Sequence, residues 1–557
     1  MSPSSPAVNL EQLLQLAHAK HHAGDVTEAV RLYHQALKAL PRSAELMQLI
    51  GAAYLQAGDL VEAEKWLHQA VKIDPKSASI HANLGVVYRR SRRPQDAVRS
   101  CRTAISLSPE LANAHYNLGR AHFDLAEFGL AVDAMRQAAR LSPNDPEILV
   151  SLGAAIFRNS GADLRNWREA HDIYQRALRL RSEMPEALAG IGNLMVEKGW
   201  ARAATAYYNR AVAAGANQGK FRYMRAASNL LLGNVGQGLD DYDFRFNQEG
   251  PDLIVRRATP PPYWEGEDLA GKHIYVWSEQ GLGDQIIYAH CLADVIARAG
   301  RVSIESKPRL TKVFTRSFPA AQILGRRTEK VHVPSPRGAD FQISIASLGR
   351  FLRREFSDFP HHHGFLKPSP EKAAHFRRKY LEMAAGRKIV GVSWRSRNVH
   401  LGEAKSSNLS EWRDILTVED TWLVNLQYGD CAEDLRAVRD TMGIEIYQDP
   451  EVDPLGDLDD SFAQISALDL FVSTSNTAVH IAGSMAIPTW VLLPGVNGTM
   501  WYWFLDRTDS PWYPSVRLYR ASLDAPTAEP WWRPVVPRVA RDLKSWVGQT
   551  RRLEAHG

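Results

Sequence analysis

Small and apolar residues recur every 34 positions along the first part of the chain. Gly51, Gly85, Gly119 and Gly153 form one column, and Pro41, Pro75, Pro109 and Pro143 a second. Ala29, Ala63, Ala97 and Ala131 form a third, and Ala36, Ala70, Ala104 and Ala138 a fourth. Four columns at one period mark an internal repeat. The pattern within one copy predicts a helix hairpin. Glycine and alanine let two helices approach closely, and proline stops the second helix. Leu49, Tyr54, Trp66 and Leu67 of the second copy then bury against the neighbouring pair. Four regular copies run from about Leu10 to Ser142. A fifth is stretched around Asn159 to Asn166, because Gly153 and Ala170 stand 17 residues apart where the other copies have 12. A sixth spans about Pro185 to Gly215, and a degenerate copy over Phe221 to Phe246 caps the stack.

Beyond Gln248 the pattern changes. A charged stretch leads into Thr259-Pro260-Pro261-Pro262-Tyr263-Trp264, a stiff connector. Short apolar runs then alternate with helical stretches. Strands are predicted at His273–Trp277, Val302–Glu305, Phe341–Ile345, Lys388–Trp394, Trp422–Gln427, Ile444–Tyr447, Leu470–Ser473 and Ile487–Leu493. Helices are predicted at Asp284–Ala299, Pro308–Ser317, Glu371–Met383, Ser410–Leu416, Cys431–Thr441, Ser461–Ala467 and Ala478–Met485. Two consecutive sets of alternating strands and helices predict two doubly wound α/β domains facing a shared cleft. The expected boundaries are 1–246 for the repeats, 247–271 for the linker, 272–370 for the first lobe and 371–557 for the second.

Composition narrows the classes. A chain of 557 residues is too long for one core. A net charge of +5 at this length permits acidic ligands without arguing for nucleic acid. Cys101, Cys291 and Cys431 lie far apart, so neither a disulfide framework nor a thiolate metal cluster is expected, and a reducing cytoplasm fits. His361-His362-His363 is read as a loop, and no metal is expected. No apolar run is long enough for a bilayer, so membrane insertion is not expected.

Two stretches carry candidate chemistry. Gly281-Leu282-Gly283-Asp284 lies between a strand and a helix. Its glycines let the backbone turn and approach a ligand, and Asp284 either caps the helix or projects a carboxylate into the cleft. It is neither a Walker loop nor the longer dinucleotide fingerprint. In LDLFVSTSNTAVHIAGSMAIPTWVLLP, residues Ser473 to Thr477 join a strand to a short helix. The N–H groups at that helix start would meet a phosphate-bearing ligand, or the helix is simply capped.

The N-terminal columns resemble the tetratricopeptide repeat (TPR). The resemblance implies a superhelix whose concave surface binds protein segments. Asn83, His115 and Asn117 fall at first-helix positions that face the groove in that family, where they contact a peptide or are solvated. The C-terminal half, roughly Trp264 to Trp546, is similar to two-domain glycosyltransferases of the GT-B kind, above all heptosyltransferase-like families fused to such repeats. The resemblance rests on SEQGLGD, on VGVSWRSRN with Lys405-Ser406, on VNLQYGD, and on STSNTAVHIAG with IPTWVLLP. The tail DRTDSPWYPSVRLYR supports it. The implied fold class is α plus α/β: an N-terminal TPR solenoid followed by a GT-B-like pair of doubly wound domains.

The resemblance also implies roles. Asp284 matches the general base that takes a proton from the acceptor hydroxyl. Arg395 and Lys405 match basic residues that hold donor phosphates, with Arg397 sharing that role or solvated. Gln427 matches a contact to the base or ribose, and Gly281 and Gly283 form the ligand-facing loop. Ser475, Asn476 and Thr477 offer hydroxyls and N–H groups, and His480 contacts a phosphate or is a buried, satisfied histidine. Where the families often carry Asp-Thr, this chain has Ser475-Asn476. The lost carboxylate permits a more anionic sugar than heptose, or a different nucleotide. The implied activity is metal-independent transfer from a nucleotide-sugar to Ser or Thr hydroxyls of a protein held by the repeats. The nucleotide-sugar is the donor substrate and no cofactor is implied. Bacterial enzymes of this plan modify flagellin, some with nonulosonic acid donors, so flagellin is the first acceptor to test. A nucleocytoplasmic N-acetylglucosamine transferase has a similar plan, but its blocks match less well. Two alternatives stand beside this one: a TPR scaffold carrying a degenerate transferase fold, and a transferase acting on cell-surface glycans.

Overall fold

The computed structural model describes residues 10–159, 164–215, 218–247, 256–257, 261–328, 332–397, 401–495, 498–522 and 530–556. The chain divides into two compact units, Met1–Leu194 and Met195–Gly557. The inserted residues 160–163, and Thr259 and Pro260 of the proline run, lie outside the described residues.

The first unit is made of helix hairpins at the expected period. Their first helices include Ala44–Ala57, Ala78–Arg90, Ala112–Asp124 and Pro146–Asn159. The second helices include Leu60–Ile73, Pro94–Leu107 and Phe128–Leu141. Pro75, Pro109 and Pro143 each stand two residues beyond a second helix. The alanine columns are fully buried. Side-chain caps open several helices, as where the Glu62 N–H donates to Asp59 at 3.1 Å.

The glycine column marks contact between the two helices of each hairpin. A Cβ on Gly51, Gly85 or Gly119 would come within 2.7, 2.5 and 2.5 Å of Leu67, Cys101 and Met135 respectively. In the stretched copy the Tyr174 ring fills this role between two glycines. It lies 2.8 Å from a Cβ on Gly153 and 2.3 Å from one on Gly190. Met135 can swing aside, but a buried ring between two backbones cannot. Gly190→Ala should therefore destabilise the unit by about 1–3 kcal/mol, outweighing the ~1 kcal/mol helix-propensity gain of alanine. Gly119→Ala should cost less, and urea unfolding of the two variants gives the comparison.

The second unit begins with the last helices of the array, Ala201–Ala214, Gln218–Leu231 and Val235–Tyr242. Two sheets follow. The first holds β1 (His273–Trp277), β2 (Arg301–Ser306), β3 (Gln322–Gly325) and β4 (Phe341–Ser344), all parallel, in the order β3-β2-β1-β4. The second holds β5 (Lys388–Ser393), β6 (Thr421–Asn425), β7 (Leu470–Thr474), β8 (Thr489–Leu493), β9 (Asp509–Ser510) and β10 (Tyr513–Arg520). Its order is β6-β5-β7-β8-β10-β9, parallel except for β9. Strands β1, β7 and β8 are buried along their whole length, as parallel strands covered on both faces must be. This is the expected architecture: a helical repeat array followed by two α/β sheets, consistent with a pair of Rossmann-like domains.

Some elements differ from expectation. The strand expected at Ile444–Tyr447 is a single bridge from Tyr447 to Val424, because Gly443 has only just closed the preceding helix and Pro450 soon follows. Strands β3 and β10 and the C-terminal helix Val536–His556 add to the expected set. Pro262 and Trp264 exchange backbone hydrogen bonds of 2.9 and 2.8 Å with Gln342 of β4, so this part of the proline segment lies packed along the sheet.

Candidate functional site

The site lies at the carboxyl ends of the strands, where the second sheet reverses its order between β5 and β7. Residues 394–397 leave β5, Leu426–Tyr428 leave β6, and Ser475–Thr477 leave β7 into the helix Thr477–Ser484. Facing them is the glycine turn after β1, which opens the helix Leu282–Tyr288. A Cβ on Gly283 would stand 3.0 Å from His480 and 3.8 Å from the Thr477 hydroxyl. Gln280 enters this turn at φ +55°, an uncommon backbone setting for a residue with a side chain.

Asp284 caps the helix that follows the glycine turn. Its Oδ2 accepts the Gly281 N–H at 2.9 Å, and the residue is half-buried. Burial raises its carboxyl above the ordinary range, while the Gly281 N–H, Lys307 and Lys405 pull it back. Lys405 is itself buried, which lowers its ammonium, and Asp284 is the acidic neighbour that offsets this. Lys307, at the end of β2, donates to the Gln280 carbonyl. The field of Asp284 also reaches Tyr242, Tyr288, Tyr502 and Tyr513, whose hydroxyls burial holds in the neutral form.

The other sequence-derived residues divide by what they touch. Gln427 is engaged with the loop after β5. Its Oε1 accepts from the N–H groups of Trp394 and Arg395 at 3.0 and 2.8 Å, and its Nε2 donates to the Arg395 and Tyr428 carbonyls. Asn476 caps its helix through Ala478 N–H at 3.0 Å and donates to Ser393 Oγ at 2.8 Å and to the Arg395 carbonyl at 3.3 Å. An aspartate could not donate those two bonds. Ser475 accepts from Trp503 Nε1 at 2.9 Å. His480 is buried, with Nδ1 3.0 Å from the Tyr513 hydroxyl, Nε2 3.3 Å from that of Tyr502, and its ring stacked on Trp503. Arg395 reaches away to Asp434 at 2.8 Å and to the Asp430 carbonyl. Arg397 is exposed beside Gly429. Asn398, at the end of VGVSWRSRN, lies outside the described residues. In the first unit, Asn83 and Asn117 are half-buried on successive first helices, and His115 Nε2 is hydrogen-bonded to the Pro109 carbonyl at 2.8 Å.

Beside these loops is a cavity of about 200 Å³ lined by Leu282, Gln427, Tyr428, Asp449, Leu458 and Thr477 among others. Arg309 of the first lobe roofs it, donating to the carbonyls of Gly456 and Pro454 at 2.6 and 2.8 Å. Sequence reasoning missed Arg309, Lys307 and the aromatic wall. The position of Lys307 directly after a strand was a usable signal, and Tyr513 lies within the tail DRTDSPWYPSVRLYR; nothing local pointed to Tyr502. Two Asp-x-Asp triplets, Asp241-Tyr242-Asp243 and Asp457-Leu458-Asp459, are each held in ion pairs with arginine or lysine. No group of three or more His, Cys, Asp or Glu side chains among the described residues could hold a metal ion. His362 of the histidine run lies in a loop against the Trp512 carbonyl.

Two buried histidines predict acid sensitivity. Burial pushes His480 down to about 3 and His290 down to about 2, from a usual 6.5. Each stays neutral in the fold while the unfolded chain takes a proton below 6.5, so stability is full above that pH and falls as pH drops. The loss approaches about 1.4 kcal/mol per pH unit for each histidine. Urea unfolding between pH 6.5 and about 5 should show this slope, and His480→Asn should remove about half of the histidine contribution.

Comparison with known proteins fits this architecture. Residues 21–84 match one family model described as Tetratricopeptide repeat, and residues 83–146 and 162–219 match a second. The helical array is built of tetratricopeptide repeats. The chain is also similar to Protein FlbA of Caulobacter vibrioides (strain ATCC 19089 / CIP 103742 / CB 15), 31% identical over 339 residues. That match spans 58% of this chain and 55% of the relative's length. Among solved structures, Pseudomonas aeruginosa PilF is 21% identical, covering 36% of this chain and 86% of its own, with a TM-score of 0.30. MamA is 28% identical over 30% of this chain and 94% of its own, with a TM-score of 0.26. A TPR array thus precedes the α/β region, and no helix among the described residues is long and apolar enough to cross a membrane.

Proposed function

We propose that the α/β region is a GT-B-like glycosyltransferase and that the TPR array captures its protein acceptor in the cytoplasm. The observation that carries this reading is the position of Asp284. Its carboxylate sits at a glycine turn facing the start of helix Thr477–Ser484, within the field of two lysines. In the reaction, Asp284 takes the proton from a Ser or Thr hydroxyl as that oxygen attacks the anomeric carbon. The bond from that carbon to the donor phosphate breaks, and the phosphate leaves with the electron pair. Lys405 and the N–H groups opening Thr477–Ser484 stabilise the charge on the leaving group. Gln427 and Asn476 hold the surrounding loops in place. Flagellin is the acceptor suggested by enzymes of similar plan.

Thermal shift against UDP-, GDP-, ADP- and CMP-linked sugars tests the donor half of this proposal. One donor class should raise the unfolding temperature, and Lys405→Ala should abolish the shift. No response to any of them would favour the scaffold reading.

A further inference from the structure

In the unit Met1–Leu194 the first helices of successive repeats touch one another, Ala78–Arg90 against Ala112–Asp124 and the latter against Pro146–Asn159. A polar stripe crosses these three helices. Arg89 Nη1 stands 3.4 Å from Asp124 Oδ2, a long ion pair. Asp124 is one helical turn from Arg120, and Arg120 donates to the Tyr116 hydroxyl at 2.9 Å. That hydroxyl lies 3.2 Å from Ser151 Oγ on the next helix. Arg89 Nε is buried without a hydrogen-bond partner among the described residues. Burial, and then the repulsion of Arg120, hold Arg89 below the usual arginine range. Arg89 therefore has one distant carboxylate partner, Asp124, which is itself 38% exposed, and lies close enough to Arg120 to be repelled by it. Arginine binds carboxylates best through paired, charge-assisted hydrogen bonds, and Asp124 leaves that capacity unfilled.

We infer that the Arg89–Arg120 stripe seats an acidic side chain from an extended segment of the acceptor protein. Asn117, one turn before Arg120, and Asn83, at the equivalent place one repeat earlier, are available to the segment's backbone. The inference rests on the reading that the repeats hold a protein, and on no part of the sugar chemistry. It gives Asp124 a second role as an internal competitor for Arg89.

Fluorescence anisotropy on the full chain tests this. The probes are short fluorescein-labelled Gly–Ser peptides, amidated at the C-terminus, carrying several glutamates, glutamines or lysines. The glutamate peptide should bind about tenfold or more tighter than the glutamine peptide, as paired bonds to a charged group allow, and salt should erode the difference. Arg120→Gln should abolish the preference, Arg120→Lys should retain part of it, and Asp124→Asn should tighten glutamate binding several-fold. Circular dichroism checks that each variant folds. Equal binding of glutamate and glutamine peptides, an Arg120→Gln variant that keeps the preference, or a preference that appears only with a free C-terminal carboxylate would overturn the inference. Binding by no peptide at all would overturn the groove reading together with it.

Discussion

Asp284→Asn should lower sugar transfer by about 10²- to 10⁴-fold, the range expected on losing a general base, while donor binding changes little. Asparagine is chosen because its Oδ1 can still accept the Gly281 N–H and keep the turn closed. Asp284→Ala loses that cap as well, at a further cost of about 1 kcal/mol in stability. The pair of variants thus separates chemistry from scaffolding. Full activity in both, with stability lost only in Asp284→Ala, would make Asp284 a cap alone. The raised carboxyl also sets the sign of the pH profile. Activity should fall with acid through a value above the ordinary carboxylate range, because the base must be ionised to accept the proton.

The second large effect concerns stability. Arg245, at the end of the repeat array, is buried and donates to both oxygens of buried Glu279 at 2.9 and 2.6 Å, and also to Ser344 and Ser347. Glu279 immediately precedes the Gln280 turn that carries Asp284. Arg245→Met should destabilise the second unit by about 3–5 kcal/mol, because it strands a buried carboxylate. Adding Glu279→Gln should recover much of that loss, since the uncompensated charge goes with it. Hydrogen exchange over residues 274–288 should report the opening of the glycine turn in the single variant and its closure in the double variant.

These effects show what could be read along the chain. The repeat was legible because each of its columns is a steric necessity. A Cβ on the glycine facing Leu67, Cys101 or Met135 would stand within 2.7 Å of that side chain, and Pro75, Pro109 and Pro143 each follow a second helix by two residues. The strands β1, β5 and β7 were legible because parallel strands buried on both faces are continuous apolar runs. Strand β3 was not, because QILG is short and partly exposed at the sheet edge. At the site, the glycine turn and the capped helix after β7 were visible as local punctuation. The work of Gln427 and Asn476 was not, because it lies in bonds to residues more than 30 positions away. Arg245 and Lys307 are ordinary basic residues in sequence, and only the fold carries them to the loop they anchor.

The most direct measurement is the intact mass of flagellin co-expressed with the chain. The wild-type chain should add one or more glycosyl masses that fragmentation places on Ser or Thr, and Asp284→Asn should add essentially none. Flagellin of unchanged mass beside a chain that binds a donor would contradict this acceptor, and the same glycosyl mass appearing with Asp284→Asn would contradict the proposed chemistry.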